Sequence, residues 1–328
     1  MIDSLASVKY AVLDKTETPP RGFEKIGENE NYNIYRNNYS MPLGVVIDQT
    51  ISIEDFEKLS IRQKDVALLN CIVSDDIQES NLTQYQNELN VESEEITLEE
   101  MYLEGITLAG KNDMYEIQCE SEDFNRICLQ TKDMQWTEDN EYIVSFKIYS
   151  PTENSIFIQW NEGDVWKQKI ISVTEGMNNV NFTIDYKNTD TLCMYFQKGT
   201  YQIGNLHYES SSEDAIDEVY QSGISEKSFL QMDTYENNLI TGTIETEKDS
   251  FLLFMIPFDK NWELYVDGKE AQLQQVDYGF MGSRIAAGNH AIKLDYVPDS
   301  NAIPVYISIV GIILLAGHIL LLKKKSRG

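Results

Sequence analysis

What this chain lacks narrows its chemistry. Its four cysteines, Cys71, Cys119, Cys128 and Cys193, form no CxxC and no Cys/His pair at zinc spacing, which excludes a structural zinc module. Only three histidines occur, His207, His290 and His318, and no serine, cysteine or lysine motif accompanies them. A nucleophilic triad therefore has no starting point. Positive charge is scarce: 26 basic residues stand against 54 acidic ones. All 54 acids and 22 of the bases precede Ile303, so that portion carries 22 minus 54, or −32. Such a surface repels nucleic acid and anionic lipid headgroups and keeps a solvated domain soluble. No leader is expected from these residues either, since Met1-Ile2-Asp3-Ser4 opens with neither a charged n-region nor an apolar h-region.

One long apolar run is present, residues 303–322, IPVYISIVGIILLAGHILLL, without a formal charge. At about 1.5 Å per residue it measures roughly 30 Å, the thickness of a bilayer's hydrocarbon core. It is apolar on every side, as a transmembrane helix is. Lys323, Lys324, Lys325 and Arg327 follow it in the 323–328 tail, and the positive-inside rule puts that tail in the cytoplasm. Everything before the span then lies outside. A lone C-terminal span without a leader would drag those bases across the membrane. The expected resolution is a C-terminal piece of a longer polytopic protein, whose upstream helices deliver the acidic part outward. His318 lies about 6 Å by helix rise from the end of the run, within reach of the headgroups.

Before the span the chain reads as mainly β, in two or three β-rich units. Residues 1–100 read as α+β. Short apolar runs at Tyr10, Ile34 and Val45 suggest strands, and Ser52-Ile53-Glu54-Asp55 suggests a capped helix start. Two short helices are expected near 53–60 and 62–73, then a solvated connection over 74–100. Residues 101–209 read as a jelly-roll or lectin-like sandwich. Tyr142, Val144, Phe146 and Ile148 alternate with Ile143, Ser145 and Lys147. Ile156, Ile158 and Trp160 alternate with Phe157 and Gln159. Val180, Phe182 and Ile184 alternate with Asn181 and Thr183. Residues 210–224 read as an acidic linker with one helical turn. Residues 225–302 read as a second sandwich on the membrane surface. Within it, residues 251–256 form a strand buried on both faces, and Asp267-Gly268 signals a two-residue hairpin.

Candidate sites are few. Trp160, Asp164 and Trp166 flank one turn, and Trp136 could join them. Indole faces stack on sugar rings, and a carboxylate accepts hydrogen bonds from hydroxyls. Trp166 is the best placed, because Trp160 continues the Ile156/Ile158 core face. Adjacent acids such as Glu94-Glu95 and Glu99-Glu100 lie in polar loops and do not face each other across a cleft, as glycosidase chemistry needs. Asp133, Glu138 and Asp139 are too loosely arranged for a calcium site, so no metal, cofactor or catalytic residue is assigned. Cys119 and Cys128 lie nine apart on what read as two hairpin strands. They either pair or stay among free, buried thiols.

Residues 251–298 carry a recognisable order: a buried strand into Pro257-Phe258-Asp259-Lys260-Asn261-Trp262, then Val266-Asp267-Gly268-Lys269, Gly279-Phe280-Met281-Gly282, Gly288-Asn289-His290 and Tyr296-Val297-Pro298. This resembles the C-terminal end of the YfhO family of bacterial membrane proteins. Ser7-Val8-Lys9-Tyr10-Ala11-Val12 and the stretch from Tyr35 to Gly44 resemble it as well. The resemblance implies a multi-span protein similar to GT-C glycosyltransferases, which move sugars from polyprenyl-phosphate carriers onto envelope polymers such as teichoic acids. In that fold the catalytic acid sits on an early outward loop among N-terminal helices, which this chain does not contain. The implied role here is non-catalytic and accessory, and the implied partners are the bilayer, the upstream helices and a glycan acceptor. The alternative is a membrane-anchored β-sandwich protein that binds envelope glycans or a protein without any catalytic partner domain.

Overall fold

The computed structural model describes residues 7–298, apart from 16, 18, 21, 78–81, 99–100, 111–113, 123–124, 131–135, 186–188, 190 and 226–227, together with Ile312. Apart from Ile312, the expected span over 303–322, His318 included, lies outside the described residues. No helix among the described residues is long and apolar enough to cross a membrane. The fold is mainly β, as the alternating patterns require.

The middle of the chain forms two antiparallel sheets. One has the order Ile106–Ala109, Met114–Cys119, Gly199–Ser212, Asn140–Ser150, Gly176–Asp185, with Glu92–Glu95 also paired to Gly199–Ser212. The other runs Val165–Val173, Asn154–Glu162, Thr191–Tyr195, Arg126–Gln130, Tyr102–Glu104. The inward residues that the sequence alternation picks out fill one core: Val144, Phe146, Ile156, Ile158, Phe182 and Ile184. Each such side chain removes enough apolar surface from water to contribute about 1.5–3 kcal/mol.

The described residues of 74–100, a stretch expected to be a solvated connection, are instead pinned to the body. The fully exposed strand Glu92–Glu95 lies beside buried Leu89, Ile96 and Leu98, which hold it against a sheet edge. Of the 210–224 stretch, expected to be a linker with one helical turn, residues 210–212 end the strand Gly199–Ser212 and the rest lies in a thirteen-residue helix, Glu213–Ser225 (α3, below). Two of its four acids, Glu213 and Asp214, stand in the first turn, where the helix dipole favours them, and Ile216 and Tyr220 are buried.

A second pair of sheets follows. Five strands run Gln231–Tyr235, Leu239–Thr246, Gly288–Tyr296, Trp262–Val266, Lys269–Ala271. Four run Gln274–Val276, Phe280–Ile285, Ser250–Pro257, Gly44–Ile47, so an N-terminal strand completes a C-terminal sheet. This explains the unbroken apolar run at 251–256. Leu252 and Phe254 face the opposing sheet, while Phe251, Leu253 and Met255 face helices. Those helices are α2, Ile61–Asn70, and α3, Glu213–Ser225; α1, Ile53–Lys58, precedes them. Ser52 caps α1 as its sequence signals, and Ser60 with Gln63 forms a capping box on α2. α2 ends earlier than the sequence suggests. Ile72–Val73 leaves the helix to pair in parallel with Gln49–Ile51.

A buried charged joint ties the sandwich to the helices. Arg62 on α2 reaches Glu141 of the six-stranded sheet, Asp65 Oδ2 at 3.1 Å and the Tyr220 hydroxyl of α3 at 3.3 Å. Breaking one partner of such a joint would leave a buried charge uncompensated. The Asp267-Gly268 dipeptide makes the tight hairpin it signals, with φ of +52° and +75°. His290 pins that turn, its Nδ1 lying 2.8 Å from Asp267 Oδ2.

The cysteine pairing differs from the sequence expectation. Cys128 is bonded to Cys193, while Cys119 and Cys71 are buried and outside any disulfide. Cys119 and Cys128 do not share a hairpin. The chain crosses from one sheet to the other between them, and Cys119 points into the core. Cys128 instead faces Cys193 directly across two antiparallel strands, with Cα atoms 4.1 Å apart.

Candidate functional site

The outer face of the five-stranded sheet in the middle sandwich concentrates the ligand-type side chains. Strand pairing sets them in rows. Ile170, Phe157, Tyr195, Arg126 and Glu104 lie side by side across all five strands. Gln168, Gln159, the Cys193–Cys128 bridge and Tyr102 form the next row. Trp166 and Asn161 begin a third, joined to Thr191 and Gln130. These residues alternate with Ile158, Trp160, Met194 and Ile127, which point into the core. One strand therefore builds the hydrophobic centre and the outer face at once.

The face combines flat apolar surfaces with hydrogen-bonding groups. Trp166 is 60% exposed, and Tyr102, Ile170 and Phe157 are exposed as well. The side chains of Gln159 and Gln168 make no hydrogen bond to other described residues, so their amides are available to hydroxyl groups. Asn161 Oδ1 accepts from the Thr191 backbone N–H at 2.9 Å, which sets its rotamer. Arg126 Nε donates to Glu104 Oε2 at 2.6 Å, and Nη1 donates to the Tyr195 hydroxyl at 3.4 Å. Tyr195 and Glu104 together raise the guanidinium's pKa above its ordinary value. Along one margin a groove of about 760 Å³ is lined by Phe157, Gln159, Tyr195, Asn125 and Lys198. Lys198 pairs with Glu122 at 2.6 Å.

The sequence-selected residues divide. Trp166 stands on this face, and Asp164 occupies the exposed turn next to it. Trp160 is 7% exposed and belongs to the core, continuing the Ile156/Ile158 face. Trp136 is equally buried, stacked on Tyr142 with ring centroids 4.2 Å apart. Tyr102, Phe157, Tyr195, Arg126, Gln159 and Gln168 were not singled out by the sequence. Their one signal is position: they are the alternates to core residues on their strands.

No group of three or more His, Cys, Asp or Glu side chains among the described residues could hold a metal ion. Asp133 lies outside the described residues, and Glu138 and Asp139 form the turn before Asn140–Ser150. A second cavity, about 680 Å³, sits where helices meet the second pair of sheets. It is lined by polar residues including Gln49, Thr83, Ser222 and Lys248, the last paired with Asp48 at 2.6 Å.

Several known proteins are similar to this chain. Among solved structures, a mutant of a carbohydrate binding module of family 29 aligns at 15% identity, covering 33% of this chain and 79% of that one, with a TM-score of 0.27. An agarase, AgWH50C, aligns at 10% identity over 35% of this chain and 23% of that one, with a TM-score of 0.28. Scores this low establish neither a shared fold nor a shared ligand. In sequence, the uncharacterized protein YfhO of Bacillus subtilis (strain 168) is 26% identical over 323 residues, 96% of this chain. The chain spans about a third of that relative's length, 36%. The model of the family described as bacterial membrane protein YfhO matches residues 1–308. With that match over nearly its whole length, the chain belongs to the YfhO family of bacterial membrane proteins.

Proposed function

We propose that this chain is the outward-facing, non-catalytic part of a membrane protein acting on envelope polymers, and that it holds glycan on the outer face of its five-stranded sheet. The carrying observation is the three-row face. Trp166, Phe157 and Tyr102 present surfaces on which pyranose rings stack, while Gln159, Gln168 and Asn161 stand between them at hydroxyl-bonding height. The Cys128–Cys193 bridge lies in the middle row and stiffens it, which lowers the entropy lost on binding. Charge supports uncharged sugar units as the ligand. Arg126 and Lys198 are already neutralised by Glu104 and Glu122, and the chain before residue 303 carries −32, so a polyphosphate backbone is repelled.

The disulfide also supports an outward location, because such bonds persist in oxidising compartments and are rare in the cytosol. The family resemblance supplies the catalytic context, sugar transfer from polyprenyl-phosphate carriers of the GT-C type, with the chemistry in the part of the longer relative that this chain does not cover. The role here is to hold acceptor polymer near that chemistry.

The test is a titration of the chain with neutral oligosaccharides and with glycosylated envelope polymer, read by tryptophan fluorescence. Trp166 is the strongly exposed indole, so saturable emission changes that vanish in Trp166→Phe are expected. Absence of any saturable change, or an unaltered change in Trp166→Phe, would overturn the reading.

A further inference from the structure

The two ends of the membrane-proximal sandwich differ in a way its fold does not require. One end carries the turns at residues 246–250, 266–269 and 285–289, built from Glu247, Lys248, Asp249, Asp267, Gly268 and Asn289. No large apolar side chain is exposed there among the described residues. The other end gathers the turn after Tyr235, the loop from Phe258 to Trp262, and the strand end at Tyr296–Val297. Strand register brings them together: Leu239 pairs with Asp295 and Trp262 with Tyr296, while Val297 N donates to Asn261 O at 2.8 Å. At this end Tyr235 is 70%, Val297 46% and Phe258 38% exposed, and Trp262 is half-buried edge-on against Tyr296 with centroids 5.0 Å apart.

We infer that this end is a lipid-headgroup contact, with Tyr235, Phe258, Trp262 and Val297 seated in the bilayer interface. The occupant follows from where the chain goes next. Five residue steps separate Pro298 from Ile303, a reach of at most about 17 Å when fully extended. The uncharged run at 303–322, taken as a span, therefore holds this end of the sandwich against the membrane. Tyrosine, tryptophan and phenylalanine are the side chains that favour the headgroup layer, where one end of the ring is wet and the other apolar. Asp233, Glu236 and Asp259 flank the patch, so it suits zwitterionic rather than anionic headgroups. The polar opposite end then points away from the membrane. This inference does not depend on the glycan reading, since the two faces lie on different sandwiches.

The experiment places nitroxide labels on the full chain reconstituted in phosphatidylcholine vesicles, at Tyr235→Cys and Val297→Cys, with Lys269→Cys at the opposite end as reference. The two native cysteines outside the disulfide are buried, and all three chosen positions are exposed, so folding is undisturbed. Collision with oxygen, which concentrates in lipid, is compared with collision with a water-soluble nickel chelate. The oxygen-to-nickel ratio at 235 and 297 is expected several-fold above that at 269. Equal ratios at all three would overturn the inference. Exclusion of both reagents from 235 and 297 would also overturn it, in favour of a second copy of the chain covering the patch.

Discussion

At the scale of single residues, position on a strand decides role. Trp160 and Trp166 are separated by one turn, yet one is packed beneath the sheet and the other stands on it. Trp166→Ala should weaken glycan binding by about 1 kcal/mol, some fivefold, the usual scale of a ring-stacking contact. The melting temperature should stay within a degree or two, because little of the indole is buried; calorimetric titration and a thermal melt check both. Asp277 gives a second residue-scale prediction. Its carboxylate is buried, accepts the Val73 N–H at 2.7 Å, and burial pushes its pKa up to about 7. The unfolded value is near 3.9, so between about pH 4 and 7 the folded state binds more protons than the unfolded one. The stabilising contribution is complete below pH 4 and is lost as pH rises through 7. Asp277→Asn keeps an acceptor for Val73 and tolerates the φ of +49°. It should raise stability at pH 8 by on the order of 2 kcal/mol and by much less at pH 4, measured as denaturation midpoints at both pH values.

At the scale of elements, the sequence showed the interior far better than the surface. The 2-residue alternation at 142–148, 156–160 and 180–184 located core strands, because burial forces apolar identity on every second residue. The doubly buried strand at 251–256 was legible for the same reason, and so was the Asp267-Gly268 hairpin, which needs residues that accept positive φ. The proposed glycan face was not legible. Phe157 and Trp166 share one hairpin, but Tyr102, Tyr195 and Arg126 come from strands distant in the chain, and only pairing register aligns them with it. The Cys128–Cys193 bridge was not legible either, because its cysteines lie 65 residues apart and only strand register sets them opposite each other.

Two element-scale tests follow. The bridge closes a loop across a sequence separation of 65, worth about 4 kcal/mol in the chain-entropy model, so Cys128→Ala with Cys193→Ala should lower the sandwich's unfolding midpoint sharply. An unchanged midpoint would argue against a staple role. Gly282, in the family-like Gly279-Phe280-Met281-Gly282 stretch, lies under the Phe251 ring. An added Cβ would sit 2.3 Å from that ring and 2.6 Å from Leu252 O. Gly282→Ala should therefore cost about 1–3 kcal/mol by overpacking, read by chemical denaturation.

At the scale of the whole molecule, three surfaces have distinct jobs in this account. The aromatic end of the second sandwich is proposed to rest on lipid and the outer face of the middle sandwich to meet glycan, while the buried Arg62 joint ties the middle sandwich to helices α2 and α3. Family membership makes the protein a membrane protein, and the charge pattern argues that the −32 portion faces outward. Trypsin added to intact cells should then remove that portion. The measurement that bears most directly on the glycan face is hydroxyl-radical footprinting of the protein with and without envelope glycan, quantified peptide by peptide. Binding is expected to protect Tyr102, Phe157 and Trp166 while leaving Tyr10 and Tyr32, exposed on the N-terminal strands, unchanged. Protection confined to other surfaces, or none at saturating glycan, would contradict it.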